Sequence, residues 1–300
     1  MKSAVIVMWM TSMTWLVTKK VLPPLLKGEP PNYRRIVEAR RDAPPVAWRL
    51  SLGARRVGWA LSSSHSLPSG LTEFSSRVHF ENLTLDSLTP AWAKALLRSS
   101  EKSMRELDVD AESKAVVDLF GQLMQFQSVV GVGGVAQLVR LDGTVDDRRM
   151  DLHVRTGDFS YEQEFYLPKN TMMGDVFSPQ SELPGLRVGQ TWRVPVYNPL
   201  RPHPPVEILS AEVEHTELLE WGGTNIQCFV VTYNRDRGYG PHRSKTVRGR
   251  LWVREDGAVL RQEANLFETE MAFTRLTPRE TSELVARVEH TSLLSSPERR

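Results

Sequence analysis

The sequence contains very little cysteine. Cys228, in the stretch IQCFVVTY, is the only one in 300 residues, so no disulfide can form within the chain. Its neighbours are apolar residues of a strand-like segment, which predicts a buried position. Burial raises the pKa of a thiol and makes it unreactive. We therefore interpret Cys228 as a core residue and not as a nucleophile.

The chain also lacks an excess of either charge. Lys and Arg total 38, Asp and Glu total 36, and the formal net charge is +2. Proteins that bind nucleic acid concentrate their basic residues on one surface, whereas the basic residues here are spread singly along strand-like segments. The composition therefore predicts no nucleic-acid partner.

Signatures of cofactor and metal binding are missing as well. GVGGV, residues 131–135, has neither the lysine nor the Ser/Thr of a phosphate-binding loop. His203 and His242 lie in segments rich in proline and glycine, and neither has a second histidine at the spacing of a zinc site. The sequence predicts no cofactor, no metal site and no catalytic residue, and it leaves the ligand-binding residues unknown.

A group of carboxylates suggests the alternative hypothesis, that the protein is an enzyme. Asp146, Asp147 and Asp151 lie near His153 in the sequence, and such groups can perform general acid/base chemistry. A hydrolase or transferase would require them to converge in one cleft. Solvated charge on a strand and at its turn is the simpler interpretation of the same residues.

No hydrophobic run is long enough by itself to cross a bilayer. Residues 4–17 form an uncharged, mostly apolar run of 14, with one lysine before it and a lysine pair after it, whereas a span needs about 17–25 residues. The length suffices if the lysines snorkel and residues 21–26 continue the apolar path. An uncleaved signal-anchor, a cleaved signal peptide and a buried helix all fit. The lack of an A-x-A-like site favours the anchor, and the lysine pair leaves the membrane orientation open.

The chain divides into four segments on these patterns. Residues 1–26 are the membrane anchor or signal-like segment, and the proline-rich residues 27–44 are predicted to be an extended spacer. Residues 45–278 form an antiparallel β domain, and residues 279–300 form a weakly helical tail.

Alternating apolar and polar residues dominate the β domain. In VAWRLSL, for example, Val46, Trp48 and Leu50 fall on one strand face. Thr89-Pro90 predicts the start of a helix. Residues 99–113 are predicted to be a surface connection, and residues 168–190 a long loop that covers an edge or forms a lid.

The stretch RGRLWVREDGAVLRQE, residues 248–263, predicts a β-hairpin that turns at Asp256-Gly257. We expect its arginines to stack on Trp252, with Glu255 and Glu263 as neutralising partners, and not to bind nucleic acid or phosphate. These arginines are Arg248, Arg250 and Arg254.

The evenly spaced strands predict a mainly β fold: one large curved antiparallel sheet, half-barrel or barrel-like, with one or two helices and an N-terminal membrane-anchor helix. Such a sheet must close, fold over or be covered on its inner face.

Three stretches resemble uncharacterised bacterial envelope proteins of planctomycete type: VAWRLSLGARRVGWALS, LRVGQTWRVPVY and RLWVREDGAVLRQEANLFETEMAFTRL. They are similar to the β-rich region that precedes transglutaminase-like domains and, loosely, to the lipoprotein-carrier (LolA/LolB) superfamily, whose curved sheet holds lipid. The resemblance covers about residues 45–276. No Cys-His-Asp set accompanies it, so it implies no enzymatic activity.

We therefore expect a non-enzymatic, membrane-tethered envelope domain that binds an apolar ligand or a partner protein. The membrane is the expected partner of the N-terminal segment, with a lipid or a protein as the partner of the β domain. The periplasm is its expected location. The alternative is the carboxylate-dependent hydrolase or transferase.

Overall fold

The computed structural model describes residues 2–18, 31, 33–83, 107–133, 135–157, 159–168, 171–173, 179–197, 206–235, 247–266 and 269–294. Its helices are α1 (Lys2–Leu16), α2 (Tyr33–Arg40) and α3 (Pro278–Leu294). Its strands are β1 (Val46–Leu52), β2 (Arg55–Ser66), β3 (Thr72–Leu83), β4 (Leu107–Val117), β5 (Leu123–Val132), β6 (Val135–Asp146), β7 (Arg149–Thr156), β8 (Phe159–Tyr166), β9 (Met172–Met173), β10 (Thr191–Tyr197), β11 (Val206–Trp221), β12 (Thr224–Arg235), β13 (Val247–Arg254), β14 (Val259–Leu266) and β15 (Thr269–Arg275). The helix predicted from Thr89 lies outside the described residues.

All of these strands belong to one sheet, in the order β8-β7-β6-β5-β4-β3-β2-β1-β15-β14-β13-β12-β11-β10-β9. Neighbouring strands are antiparallel, except that the two-residue β9 pairs parallel with β10. Among the described strands the sheet is not closed, because β8 and β9 are its two ends. The predicted mainly β class and the large antiparallel sheet are confirmed.

The strand β1 lies in the middle of the sheet and joins its two halves. It pairs with β2 on one side and with β15 on the other. We call β2–β8 the first wing and β9–β15 the second wing. Each wing is a meander of sequential neighbours, so nearly all of the pairing is between strands that are close in sequence.

One face of the sheet, the core face, carries the main hydrophobic core. The alternation in β1 places Trp48 and Leu50 on this face, fully buried, while Arg49 between them is exposed. Val231 and Phe273 of the second wing belong to the same cluster. The opposite face is called the outer face.

Two segments outside the sheet pack against the core face. Ile36 of α2 belongs to the main cluster together with Leu183 and Leu186 of the segment 179–190. The segment is hydrogen-bonded to the β13–β14 hairpin, because Leu183 N donates to Gly257 O over 2.7 Å. The end of the segment predicted as an edge cover or lid over residues 168–190 therefore covers the core face and not an edge of the sheet.

The helix α2 differs from the extended spacer predicted for residues 27–44. Pro30 and Pro31 precede the helix, so nothing in YRRIVEAR prevents helical hydrogen bonding. Ile36 and Val37 are buried, and their packing stabilises a helix that would be too short to persist alone.

The helix α3 packs on the outer face at β1 and β2. Leu284 and Val288 form a cluster with Ala47 of β1. The first turn has a capping box, in which the Glu280 carboxylate accepts hydrogen bonds from the backbone N and the hydroxyl of Thr277, both at 2.8 Å.

The strand β4 begins at Leu107, inside the region predicted as a surface connection over residues 99–113. Its sequence is polar because Asp108, Asp110 and Glu112 point to solvent on the outer face, whereas Ala111 is buried on the core face. An alternation between acidic residues and a small residue such as alanine gives too weak a hydrophobic signal for sequence reasoning.

The hairpin predicted over residues 248–263 is confirmed as β13 and β14. Arg254 N donates to Ala258 O over 2.8 Å, and Gly257 N donates to Arg254 O over 2.9 Å. Gly257 has a φ of 96°, a left-handed conformation that favours glycine.

The predicted arginine contacts on this hairpin are partly wrong. The guanidinium 5.2 Å from the Trp252 ring belongs to Arg261, because Arg261 is the residue directly opposite Trp252 in the ladder. The acidic partners also differ from the expected Glu255. Arg248 pairs with Glu207, Arg254 with Asp256 and Arg261 with Glu263.

The helix α1 has no polar face, and its described side chains from Met8 onwards are exposed. Within the described ranges, no helix combines the length and the hydropathy needed to cross a bilayer.

Candidate functional site

Four serines lie side by side across the core face of the first wing. Ser62 of β2 is opposite Ser76 of β3, Ser76 is opposite Ser113 of β4, and Ser113 is opposite Ser128 of β5. We call these residues the serine row. Val46 precedes the row on β1, and Leu141 continues it on β6.

Most of the serine row is buried, although serine is usually a surface residue. Ser62 is 2% exposed, and Ser76 and Ser128 are each 8% exposed. The hydroxyls of Ser62 and Ser76 have no hydrogen-bond partner among the described residues. Each unpaired buried hydroxyl costs about 1–3 kcal/mol, so the folded protein bears this cost at two adjacent positions.

A third unpaired polar group lies next to the row. Trp48 is fully buried, and its Nε1 has no partner among the described residues. Trp48 is directly opposite Ala60, so Ser62, two residues further along β2, is its diagonal neighbour. Aromatic side chains reach such diagonal positions.

Small side chains also occupy alternate positions on both sides of the serine row. The row on one side contains two alanines separated by a valine, namely Ala60, Val78 and Ala111. The row on the other side contains a serine and an alanine separated by an aromatic ring, namely Ser64, Phe74 and Ala115. We call the serine row and these flanking small residues the small-residue strip.

The small-residue strip ends at Gly143 of β6. There the Met150 side chain occupies the space that a Cβ would take, with Met150 Cε 2.6 Å from that position. Leu141, in line with the serine row on the same strand, is also a large residue. The strip therefore spans β2–β5.

The C-terminal end of α2 closes one end of this strip. The Ser64 hydroxyl donates to Arg40 O, and the Ser66 hydroxyl donates to Asp42 Oδ2 over 2.8 Å. The Arg40 guanidinium is 5.2 Å from the centre of the Phe74 ring. The hydrogen bonds from Ser66 hold the pKa of the Asp42 carboxyl below its usual range.

An ion pair between Arg275 and Glu182 lies on the side of Trp48 that faces β15. Arg275 is opposite Trp48 in the β1–β15 ladder, and its Nη1 donates to Glu182 Oε1 over 3.2 Å and to Ser181 O over 3.0 Å. Burial raises the pKa of the Glu182 carboxyl, although Arg275 opposes the shift. The cation closest in register to Trp48 is thus already bound by protein oxygens.

The carboxylates considered for catalysis do not converge. Asp146 ends β6, Asp147 is in the following turn, and Asp151 is on the outer face of β7; all three lie at the solvated surface. The Asp151 carboxylate is 3.9 Å from the Arg149 guanidinium. These groups do not line a cleft, as an acid/base mechanism would require.

His153 instead contacts two residues of β8. Its Nδ1 is 3.1 Å from Glu162 Oε1, and its Nε2 is 3.1 Å from the Ser160 hydroxyl. This order of groups resembles a nucleophile-base-acid triad. However, the Glu162 side chain is 81% exposed and His153 is 39% exposed, and solvent at that level screens the interactions on which such a triad depends.

The other candidates that the structure describes have structural contacts, whereas His203 and His242 lie outside the described residues. Cys228 is buried in an apolar cluster on the outer face of the second wing, as predicted. Burial raises the pKa of its thiol to about 11. His79 and His215 are strand residues that contact Asp110 and Glu217. In the described part of the chain, no three His, Cys, Asp or Glu residues are grouped as metal ligands.

Sequence reasoning missed the serine row. The signal in the sequence is a serine at core-face positions of four successive strand-like segments, in ALSSSHS, FSSRV, AESKAV and FQSVV. It becomes informative only when the register between the strands is known.

Comparison with known proteins assigns neither a family nor a function. No family model matches the sequence, and no curated protein matches it. Among solved structures, the chain is similar to a β-barrel-like protein of a domain of unknown function, DUF1849, from Brucella abortus. The identity is 10%, the TM-score is 0.47, and the match covers 78% of this chain and 95% of that one.

Two further structures are similar at lower scores. A DUF1089 family protein from Pseudomonas aeruginosa has 16% identity and a TM-score of 0.34, over 69% of this chain and 89% of that one. The hypothetical lipoprotein YmcC from Escherichia coli has 11% identity and a TM-score of 0.26, over 82% of this chain and 88% of that one. The envelope, planctomycete and transglutaminase links of the resemblance stay predictions. At these scores no function transfers.

Proposed function

We propose that the protein is a non-enzymatic domain that binds an apolar ligand on the core face of its first wing. The observation that carries the proposal is the serine row, because it places buried, unpartnered hydroxyls across successive strands of an otherwise apolar face. Ligand sites are typically apolar surfaces with a few polar groups that fix orientation.

A purely structural role explains the serine row less well. A core that serves only stability is filled with large apolar side chains and pairs its polar atoms. The strip from β2 to β5 has small residues where the second wing has large ones, and two of its hydroxyls have no partner among the described residues. A bound ligand would fill the space next to the small residues and would supply hydrogen-bond partners for the two hydroxyls.

The burial of the strip also favours a small ligand over a partner protein. Ser62, Ser76 and Ser128 are at most 8% exposed, so a protein surface could not reach them without displacing the residues that cover them. A partner protein would need an exposed face.

The non-enzymatic part of the proposal rests on the dispersion of the reactive groups. Asp146, Asp147 and Asp151 are spread along the solvated surface of one wing, and His153 lies in a solvated network. Perturbed and enclosed titratable groups are the usual mark of catalytic sites.

Binding can be tested with N-phenyl-1-naphthylamine, an uncharged dye whose fluorescence rises in apolar surroundings. We expect the wild-type protein to enhance the dye fluorescence saturably. Ser76→Leu should weaken binding by about tenfold or more, equivalent to about 1.4 kcal/mol or more, because the added side chain fills the strip. Ser128→Leu provides a second position if the first variant unfolds.

The control is Ser75→Leu. Ser75 is the adjacent residue of β3, on the outer face, where its hydroxyl is 2.7 Å from that of Ser63. This variant should bind the dye like wild type. A folded Ser76→Leu or Ser128→Leu protein with unchanged dye affinity would exclude the strip as the binding site.

We also propose that the N-terminal segment tethers the domain to a membrane, with the β domain in the periplasm. The support is the apolar, exposed surface of α1, including Trp9 at 57% and Trp15 at 61% exposure; tryptophan is enriched at membrane interfaces. Fractionated cells should show the protein in the membrane pellet, released by detergent and not by high salt. Recovery of the untreated protein in the soluble fraction would contradict the tether.

A further inference from the structure

We infer that the ligand of the core face carries an uncharged hydrogen-bond acceptor, such as an ester or amide carbonyl, that is bound by Trp48, Ser62 and Ser76. This inference rests on the proposed function and specifies the ligand class. It is carried by three polar atoms without a partner among the described residues, Trp48 Nε1, Ser62 Oγ and Ser76 Oγ, on residues that are 0%, 2% and 8% exposed.

The three groups belong to one patch of the core face. Ser62 and Ser76 are a directly opposed pair of β2 and β3. Trp48 on β1 is the diagonal neighbour of Ser62, through its pairing with Ala60. Opposed residues are about 4.5–5.5 Å apart at Cβ, and an aromatic side chain reaches a diagonal neighbour, so a single polar group of a ligand can lie among the three.

The hydrogen-bonding capacity of these groups favours an acceptor on the ligand. An indole N–H only donates, whereas a serine hydroxyl donates or accepts by rotation. A carbonyl oxygen with two lone pairs satisfies the indole and one hydroxyl together. A ligand group that only donates would leave Trp48 Nε1 unpaired.

The charges around the three polar groups favour an uncharged group on the ligand. The positions next to the three polar groups are apolar or small, namely Val46, Ala60 and Val78. Arg275, the cation opposite Trp48, is bound to Glu182 and to the carbonyl of Ser181. A buried carboxylate needs a cation or several donors. The Arg40 guanidinium lies over the Phe74 ring at the end of the strip and, like Arg275, also acts on Glu182.

The test is displacement of N-phenyl-1-naphthylamine from the wild-type protein by methyl laurate, tridecane or laurate. We expect methyl laurate to displace the dye at a concentration about fivefold lower than tridecane does, which corresponds to one net hydrogen bond. Laurate at pH 8 should be the weakest competitor. In Ser62→Ala/Ser76→Ala, methyl laurate should lose its advantage over tridecane.

The matched control is Ser63→Ala/Ser75→Ala on the outer face of the same strands, where the two hydroxyls pair with each other at 2.7 Å. This variant should keep the preference for the ester but unfold at lower urea concentration. Ser62→Ala/Ser76→Ala should not unfold earlier than wild type, because no protein hydrogen bond is lost. The single variant Ser76→Ala should show a smaller loss in the same direction.

Two results would overturn the inference. If the dye binds and both methyl laurate and tridecane displace it equally, the ligand needs no acceptor. If the ester preference survives in Ser62→Ala/Ser76→Ala, other groups bind the carbonyl. A dye that does not bind at all is a separate result, which overturns the proposed function and, with it, this inference.

Discussion

The two wings of the sheet use their core faces differently. In the second wing, large residues such as Phe229, Leu251 and Phe273 interlock with the covering residue Leu183. In the first wing, the strip across β2–β5 is dominated by serine and alanine. Both wings are parts of one continuous sheet, and they join through β1.

This difference indicates a division of labour within one fold. Large interlocking side chains supply most of the burial free energy, so the sheet is stabilised by the second wing together with Phe80 of β3 and the cluster around Phe126 and Met150 in the first wing. Thr232, Asn234 and Arg261 of the second wing also have polar atoms without a partner among the described residues, but these residues lie on the outer face, and the Ser181 hydroxyl in the covering segment likewise has no partner among them. The unpaired hydroxyls of Ser62 and Ser76 in the first wing instead point to the core face.

The largest loss of stability should come from removing a large side chain from the core of the second wing. Phe273→Ala should lower the free energy of unfolding by about 3–5 kcal/mol, because it removes a fully buried aromatic ring. Ser76→Ala in the first wing should raise it by about 1 kcal/mol or more, since its hydroxyl has no partner among the described residues. Urea unfolding followed by circular dichroism measures both. Equal losses of unfolding free energy for the two variants would contradict the difference between the two wings.

The hairpin of the second wing should be the next most sensitive region. Gly257→Ala should lower the free energy of unfolding by about 2 kcal/mol or more, because φ is 96° and a Cβ would lie 2.7 Å from Pro184 Cα. Valine at this position should cost more, and Asp256→Ala about 1 kcal/mol through the lost hydrogen bond to Ala258 N.

Gly223→Ala separates backbone strain from the contact with Pro184. Gly223 has a φ of 78°, and an added Cβ would meet no atom within 4 Å among the described residues, so only the strain applies there. If Gly257→Ala costs no more than Gly223→Ala, the covering segment does not constrain the hairpin.

Exchanging cysteine for serine in one wing and serine for cysteine in the other tests the comparison between the wings further. Cys228→Ser introduces a hydroxyl into the apolar outer-face cluster of the second wing, and it should lower the free energy of unfolding by about 1–2 kcal/mol. Ser76→Cys in the first wing should be neutral or stabilising. Thermal unfolding of both variants provides the measurement, and a stabilised Cys228→Ser protein would be inconsistent with a buried, apolar environment for Cys228.

The smallest expected effect concerns the hairpin arginines. Replacing Arg248 and Arg250 by alanine should leave the affinity for heparin or DNA unchanged, because Arg248 is already paired with Glu207 and Arg250 lines a shallow depression together with Glu263 and Glu270. A salt-dependent affinity that disappears in the double variant would contradict the predicted absence of a polyanion site.

The sequence predicts those parts of the fold whose signals are local. Alternation identifies strands such as VAWRLSL, and Asp256-Gly257 identifies the hairpin turn, because both depend on neighbours in the chain. The strand β4 escapes detection because its buried face presents Ala111 in place of larger apolar residues.

The candidate site depends on information that is not local. Ser76 and Ser113 become neighbours only through the register of β3 and β4, which are separated by more than twenty residues of chain. Taken singly, each serine is a polar residue of an alternating strand and is expected to point to solvent. The contact of Ser64 with Arg40 O at the end of α2 is equally invisible in the sequence.

A crystal structure of the protein with methyl 12-bromododecanoate would test ligand binding on the core face most directly, because anomalous scattering locates the bromine. The predicted result is an ester carbonyl next to Trp48, Ser62 and Ser76, with the chain and its bromine along the strip of small residues across β2–β5. A fully occupied ligand on the outer face, or against the second wing alone, would contradict the account.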